Sequence, residues 1–275
     1  PLSTLNALEG ERCQAVHGVP TMFQGMLDHA QFGQFDLRTL RTGIMAGAPC
    51  PAPLMRKVME DMHCSGITIA YGMTETSPIS FQSSIEDPAA LRVSTVGRIQ
   101  PHLEAKVVDD DGDTVAVDAT GELLTRGYAV MQGYWNDEVQ TSATIGDGWM
   151  RTGDLATIDS VGSCRIVGRR KDMLIRGGEN VYPAEIEEYL AGHPDIAAAQ
   201  VFGVPDPRYG EQVCAWVMLR PAASLTEEDV RVYCRGRIAH FKVPQYVRLV
   251  TEWPMTVTGK PQKFRMREMM LEQLG

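Results

Sequence analysis

The spacing of apolar positions changes twice along the chain, and the changes mark three stretches. Over roughly the first 90 residues, helical and strand spacings alternate. Leu5 and Leu8, with Ser3 and Thr4 as cap candidates, predict a helix; Ala15 to Val19 reads as a strand and Pro20 to His29 as a helix. Ile44-Met45-Ala46, Leu54 to Met62 and Ile67 to Ala70 continue as strand, helix and strand. Such alternation implies a parallel sheet covered by helices, with ligands at the carboxyl ends of the strands. From about Val93 the helical period is lost. Short strands follow one another across turns at Asp111-Gly112, Thr120-Gly121, Asp147-Gly148 and Val161-Gly162, predicting a small antiparallel barrel or sheet. Beyond Val167 a compact α+β unit is expected, with helices near 183–191, 226–238 and 261–273 and strands near 196–204, 212–219 and 246–250. The fold class is thus α/β plus α+β, with domains at 1–168 (an α/β part, 1–92, and a β-rich part, 93–168) and 169–275.

The second change of spacing falls in Ile166 to Glu187. A strand ending at Val167 runs into Gly168-Arg169-Arg170-Lys171, a short apolar strand Met173–Ile175 follows, and Gly177-Gly178 form a second turn. Pro183 suits a first helical position, Glu185 and Glu187 favour the positive end of the dipole, and Ile186 and Leu190 share a face. A basic turn is ordinarily just solvated; between two domains it is also a plausible swivel.

Composition narrows the function classes. With 275 residues, 44% hydrophobic and 22% charged, the chain can bury a sizeable core. A net charge of −9 argues against a broad nucleic-acid footprint, so an anionic ligand needs local cations and backbone amides. The six cysteines are scattered without a C-x-x-C pair, which favours free thiols in a reducing compartment, cytoplasm or organelle matrix, over a zinc site. No apolar run is long enough to span a bilayer. Pro1 opens directly into a helical pattern without an initiator Met or signal peptide, so the chain is expected to continue something longer.

Five motifs occur in order: YGMTET (71–76), RTGD (151–154), GRRKD (168–172), RGGENVYP (176–183) and PMTVTGK (254–260). Together they resemble the adenylate-forming superfamily, which contains AMP-forming acyl-CoA synthetases, luciferases and adenylation domains. GVPTMF (18–23), AGAPCP (46–51), RGYAVMQGYW (126–135) and the stretch HFKVPQYV to TGKPQKFRMRE look most similar to medium-chain fatty-acid–CoA ligases.

The resemblance implies a two-step ligase using ATP, a fatty acid and coenzyme A, with Mg²⁺. It implies an adenine wall at Gly47, Ala48 and Pro49, nucleotide contacts along Tyr71, Gly72, Met73 and Thr74, and Glu75 as an oxygen ligand for Mg²⁺. Asp154 ends an Arg-Thr-Gly-Asp turn where a carboxylate can accept the ribose hydroxyls, and Arg169 faces ribose and phosphate. Thr74 and Lys260 would meet the α-phosphate, Lys260 stabilising charge that develops in the transition state. Lys171 matches the hinge, and Gly177, Gly178 and Glu179 the pantetheine tunnel of coenzyme A. Read without the resemblance, Asp154 is a turn cap, Arg169 and Lys260 are solvated cations, and Thr74-Glu75 a helix cap.

Two departures stand out. Met150 replaces a frequent aromatic residue, a change expected beside the base or ribose. The superfamily's Ser/Thr/Gly-rich phosphate loop is absent, and no G-x-x-x-x-G-K-[ST] tract substitutes for it. The expectation is therefore the C-terminal half of such an enzyme, whose partner is the missing N-terminal half. Val19 and Phe23 are the acyl-pocket candidates. The alternatives are an aryl- or other carboxylate–CoA ligase, an acyl-AMP ligase, and a non-catalytic fragment that binds a partner.

Overall fold

The computed structural model describes residues 1–256 and 261–274, and the chain divides into two compact units, Pro1–Val167 and Gly168–Gly275. In the first unit the helix–strand alternation is realised as α1 (Leu2–Gly10), β1 (Ala15–Gly18), α2 (Pro20–Leu27), β2 (Thr42–Ala46), α3 (Ala52–Asp61) and β3 (Gly66–Gly72). Leu54, Met55 and Val58 form the buried stripe of α3 and meet Phe23, Met26, Met45 and Ile67 in the core. Each fully buried side chain of this size contributes about 1.5–3 kcal/mol. Ser3 and Thr4 lie inside α1 rather than capping it; Pro1 holds the cap position and needs no amide hydrogen there.

β1, β2 and β3 are parallel, as expected, but β4 (Ile79–Gln82) and β5 (Arg98–Ile99) join them antiparallel in the order β1-β2-β3-β4-β5. The sheet is therefore mixed. The chain turns back over too few residues between Gly72 and Ile79 for a helical crossover, so antiparallel pairing is the only option. A short α4 (Ala89–Arg92) carries the buried Arg92, whose guanidinium donates to the carbonyls of Ser65, Ile67 and Asp87.

β6 (Leu103–Val108) and β7 (Gly121–Gly127), then α5 (Glu138–Thr144), β8 (Ile145–Gly146), β9 (Trp149–Ile158) and β10 (Cys164–Arg169) form the β-rich part. Their strand order is β10-β9-β7-β6 with β8 on β9, an open sheet rather than a closed barrel. Phe81, Val107, Leu123, Ala156 and Cys164 fill its core. The chain passes between the units within β10, which extends beyond the expected end at Val167 to Arg169.

The second unit contains β11 (Leu174–Arg176), β12 (Glu179–Val181), α6 (Pro183–Ala191), β13 (Ile196–Asp206), β14 (Gly210–Leu219), α7 (Glu227–Cys234), β15 (Tyr246–Leu249) and α8 (Lys263–Leu274). Its sheet runs β12-β11-β14-β13, with β15 parallel to β14. Pro183 opens α6, and Ile186 and Leu190 bury one face of it, as the pattern predicts. Thr226 and Asp229 cap α7 reciprocally, and the helix stops at Cys234, short of the expected 238, because Arg235 turns to extended backbone (φ −62°, ψ 131°), with Gly236 following at a positive φ of 72°. Among the described residues no helix is long and apolar enough to cross a membrane.

Candidate functional site

Parallel pairing of β2 with β3 in the register Ala46↔Ala70 makes both strands finish at one edge. The exposed wall Gly47–Pro49 and the loop Tyr71–Thr76 leave that edge side by side. Gly47 adopts φ +86°, a conformation that L side chains rarely take, and an added Cβ would lie 3.2 Å from Val19, the residue after β1. At Gly72 the constraint is steric: a Cβ would sit 1.7 Å from the Pro78 carbonyl oxygen. Thr76 is buried, with its hydroxyl accepting the Met73 amide at 3.1 Å, which tightens Thr74–Thr76 into a single 3₁₀ turn. Thr74 is left exposed at the tip.

Asp154 reaches this edge from β9. Opposite β7, the pairs Glu122↔Leu155 and Leu124↔Arg151 leave Thr152, Gly153 and Asp154 facing Leu123 alone. The Arg-Thr-Gly-Asp segment is thus a bulge within a strand, not a terminal turn. Gly153 supplies φ +71°, and the Thr152 hydroxyl locks the bulge by donating to Leu123 O at 2.7 Å and accepting the Asp154 amide at 3.1 Å. The result aims Asp154 at Tyr71, whose hydroxyl donates to Oδ2 at 2.6 Å. Burial, and then the Asp154 charge, push the Tyr71 phenol far above its ordinary value, so it remains a donor.

Glu75 is held in the same manner. Its carbonyl accepts the Met131 amide at 2.8 Å and its Oε1 accepts the Tyr134 hydroxyl at 3.0 Å. Burial and the nearby carboxylate raise the Tyr134 phenol as well. The sequence singles out the 126–135 segment but not Tyr134; an aromatic residue with a hydroxyl, 59 positions from Glu75, carries no local signal of that pairing.

Other expectations change. Met150 has no exposed surface; it is a core side chain of β9 and does not face a ligand. Phe23 is likewise fully buried in α2, so of the two acyl-pocket candidates only Val19 reaches the edge. A separate groove of about 460 Å³ is lined by Lys106, Arg126, Trp149 and Arg151, but its cations are occupied: Arg126 pairs with Glu104, Arg151 with Glu122, and Lys106 and Arg126 lie over the Trp149 ring.

In the second unit, Gly177 and Gly178 form the two-residue tip of a β11–β12 hairpin, with Arg176 paired to Glu179. Both take positive φ, 62° and 89°, the geometry that keeps such hairpins tight. The glycine turn therefore leads into a strand and reaches the helix only after Val181. The Gly177 amide donates to Tyr209 O at 2.8 Å, and nothing lies within 4 Å of a Cβ built on Gly178. Glu179 is exposed, as are Arg169 and Lys171, the latter in a 3₁₀ turn Arg170–Asp172. Lys260 lies outside the described residues.

All six cysteines are free. Burial pushes Cys50, Cys164 and Cys214 up to about 12 and Cys64 and Cys234 up to about 11, which leaves them as unreactive thiols.

Comparison with known proteins gives two family matches: an AMP-binding enzyme model over residues 1–135 and an AMP-binding enzyme C-terminal domain over 185–260. The chain is 49% identical to the putative acyl-CoA synthetase YngI of Bacillus subtilis (strain 168), over 100% of this chain and 50% of that protein. It is 48% identical to the mitochondrial medium-chain acyl-CoA ligase ACSF2 of Danio rerio, over 99% of this chain and 45% of that protein. Among solved structures, the amide bond synthetase McbA of Marinactinospora thermotolerans is similar at TM-score 0.90 and 34% identity, covering 98% of this chain and 55% of that one. The anthranilate CoA ligase AuaEII in complex with anthranoyl-AMP is similar at TM-score 0.89 and 30% identity, covering 98% and 52%. The chain spans about half the length of the curated relatives it matches.

Proposed function

The chain belongs to the AMP-binding enzyme family, and from that premise we propose that it supplies the C-terminal part of an AMP-forming fatty-acid–CoA ligase. Its likeness to relatives named as medium-chain acyl-CoA ligases supports medium-chain acids as the substrate. The observation that carries the reading is the 2.6 Å bond from Tyr71 to Asp154, because it ties the strand bulge to the loop edge next to the small-residue wall at Gly47–Pro49. Adenine fits against side-chain-poor backbone, and a carboxylate held beside it can accept both ribose hydroxyls.

In the first step a fatty-acid carboxylate oxygen attacks the α-phosphorus of ATP, the bond to the bridging oxygen breaks, and pyrophosphate leaves. Thr74 offers its exposed hydroxyl to an α-phosphate oxygen. Glu75 presents a carboxylate suited to Mg²⁺; one carboxylate and the substrate phosphates satisfy that ion, so the absence of a three-residue His/Cys/Asp/Glu cluster among the described residues is in keeping. Mg²⁺ bound there would neutralise phosphate charge. Lys260, placed by its motif, stabilises the charge shared by the carboxylate and α-phosphate oxygens. In the second step the thiolate of coenzyme A attacks the acyl carbonyl and AMP leaves. The hairpin tip at Gly177-Gly178, with Glu179, passes the thin pantetheine arm, and Lys171 is the swivel that exchanges this tip for Lys260. Arg169 contacts ribose and phosphate.

The free, unreactive thiols support a reducing compartment, cytoplasm or organelle matrix, and the ACSF2 relatives are named mitochondrial. These 275 residues carry no phosphate loop and by themselves are expected to give no turnover. The test is made with the full open reading frame that encodes them. ATP, octanoate and coenzyme A should give octanoyl-CoA, AMP and pyrophosphate. Pyrophosphate release without a thioester on free coenzyme A would move the reading to an acyl-AMP ligase feeding a carrier or another acceptor. The lack of both AMP binding and pyrophosphate release would overturn it.

A further inference from the structure

We propose that Tyr134 is a positioning residue that fixes the Glu75 carboxylate for a divalent cation travelling with the nucleotide phosphates. The inference rests on the ligase reading above and adds a residue to it. Three observations carry it.

First, the segment 131–134 grips Glu75 at two points, one on its backbone and one on its side chain. The Met131 amide donates to the Glu75 carbonyl at 2.8 Å, and the Tyr134 hydroxyl donates to Glu75 Oε1 at 3.0 Å. The backbone bond sets where the turn lies and the side-chain bond sets how the carboxylate is rotated.

Second, Tyr134 is itself anchored from behind. Its amide donates to Thr141 Oγ1 at 2.8 Å, that hydroxyl donates to Asp137 O at 2.7 Å, and Asp137 Oδ1 accepts the Gln140 amide at 2.9 Å at the start of α5. A glycine precedes Tyr134 where a Cβ would press on Thr141 at 2.8 Å, so the approach of loop to helix is tight. A ring anchored in this way transmits a fixed direction to the oxygen it holds.

Third, the division of labour between the two oxygens follows. Oε1 is engaged by a phenol, so Oε2 is the oxygen left to serve a cation. Mg²⁺ demands near-ideal octahedral geometry and tolerates little wandering of a single protein ligand. An outer partner that orients such a ligand typically governs 10–100-fold in metal affinity.

The experiment uses the full open reading frame, with Mn²⁺ as the paramagnetic probe and free Mn²⁺ read by EPR in the presence of ATP. Wild-type binding of AMP without metal, read by calorimetry, reports on the nucleotide-site reading itself. Tyr134→Phe should keep that AMP affinity, weaken Mn²⁺ on the ATP complex by about 10–100-fold, and raise by a similar factor the Mg²⁺ concentration that gives half-maximal pyrophosphate release. Glu75→Gln should weaken Mn²⁺ as well, and Tyr134→Phe added to it should cost nothing more. Unchanged Mn²⁺ affinity in Tyr134→Phe, or additive losses in the double variant, would overturn the proposal; so would an equal loss of metal-free AMP binding, which marks simple loop packing.

Discussion

Tyr71→Phe removes one hydroxyl and leaves the ring, including its T-shaped contact with Phe81 at 6.3 Å between centroids. What is lost is the 2.6 Å bond to Asp154 Oδ2, a bond from a neutral donor to a charged acceptor. Such bonds contribute about 1.5–3 kcal/mol net. Tyr71 is only half-buried, while Asp154 is 8% exposed, so the lower end applies and the folded state should lose about 1.5 kcal/mol. A carboxylate no longer held on one oxygen must be re-ordered when ribose arrives, and a cost near 1.4 kcal/mol weakens AMP about tenfold. The pH dependence supplies an independent check. Burial and the Asp154 charge raise the folded phenol above the unfolded value of 10.0, so its contribution is complete below that pH. Above pH 10 the unfolded chain releases the proton while the folded one keeps it, and stability falls by up to about 1.4 kcal/mol per pH unit. The wild type should therefore lose stability above pH 10 more steeply than Tyr71→Phe, by one proton's worth of slope. The measurements are AMP calorimetry at neutral pH and urea unfolding from pH 9 to about 11. Equal AMP affinity together with parallel alkaline slopes would refute the argument.

Lys260→Ala should slow pyrophosphate release about 10²–10³-fold while thioester formation from supplied acyl-AMP survives; near-normal release would remove Lys260 from the chemistry. Lys171→Pro fixes φ in the turn Arg170–Asp172, so acyl-AMP should still form while transfer to coenzyme A collapses, and equal loss of both steps would make the residue merely structural. Gly153→Ala meets no neighbour within 4 Å, but φ +71° costs a non-glycine residue about 1–2 kcal/mol. Its melting temperature should drop and its AMP affinity should fall with it, whereas an unaltered melt would show that the bulge does not need its glycine.

The site's loops were legible because their residue types answer to local constraints. Gly47 needs positive φ, Gly72 has no room for a Cβ, and Gly177-Gly178 close a two-residue hairpin, so the motifs carry their geometry in the sequence. The parallel core of the first sheet was legible for a similar reason, since helical and strand periods alternate over its whole length. Pairing register was not. The antiparallel β4 and β5, the open course of β10-β9-β7-β6 and the bulge at Thr152–Asp154 depend on which distant strand lies alongside, and no window of a few residues encodes that. β12, Glu179–Val181, escaped notice because two of its three residues are exposed and polar and it exists only as the return arm of a hairpin. Met150 and Phe23 misled because an apolar side chain beside a motif looks the same in sequence whether it lines a ligand or fills the core. The two phenol–carboxylate bonds span 83 and 59 residues and were invisible for the same reason as the sheet order.

The edge where β1, β2 and β3 end has a bearing on how such a protein can change over generations. Val19, Gly47 and Gly72 follow or close three adjacent parallel strands whose interiors are packed by Met45, Ile67 and their neighbours. A substitution at the rim at Val19 alters what the rim can accommodate without disturbing the strands beneath it. A substitution at Met45 or Ile67 does the reverse, endangering the whole sheet while leaving recognition nominally intact. Inheritance can thus vary the two layers separately: drift in the rim alters its shape and chemistry on an unaltered platform, and the platform is purged only of changes that loosen it.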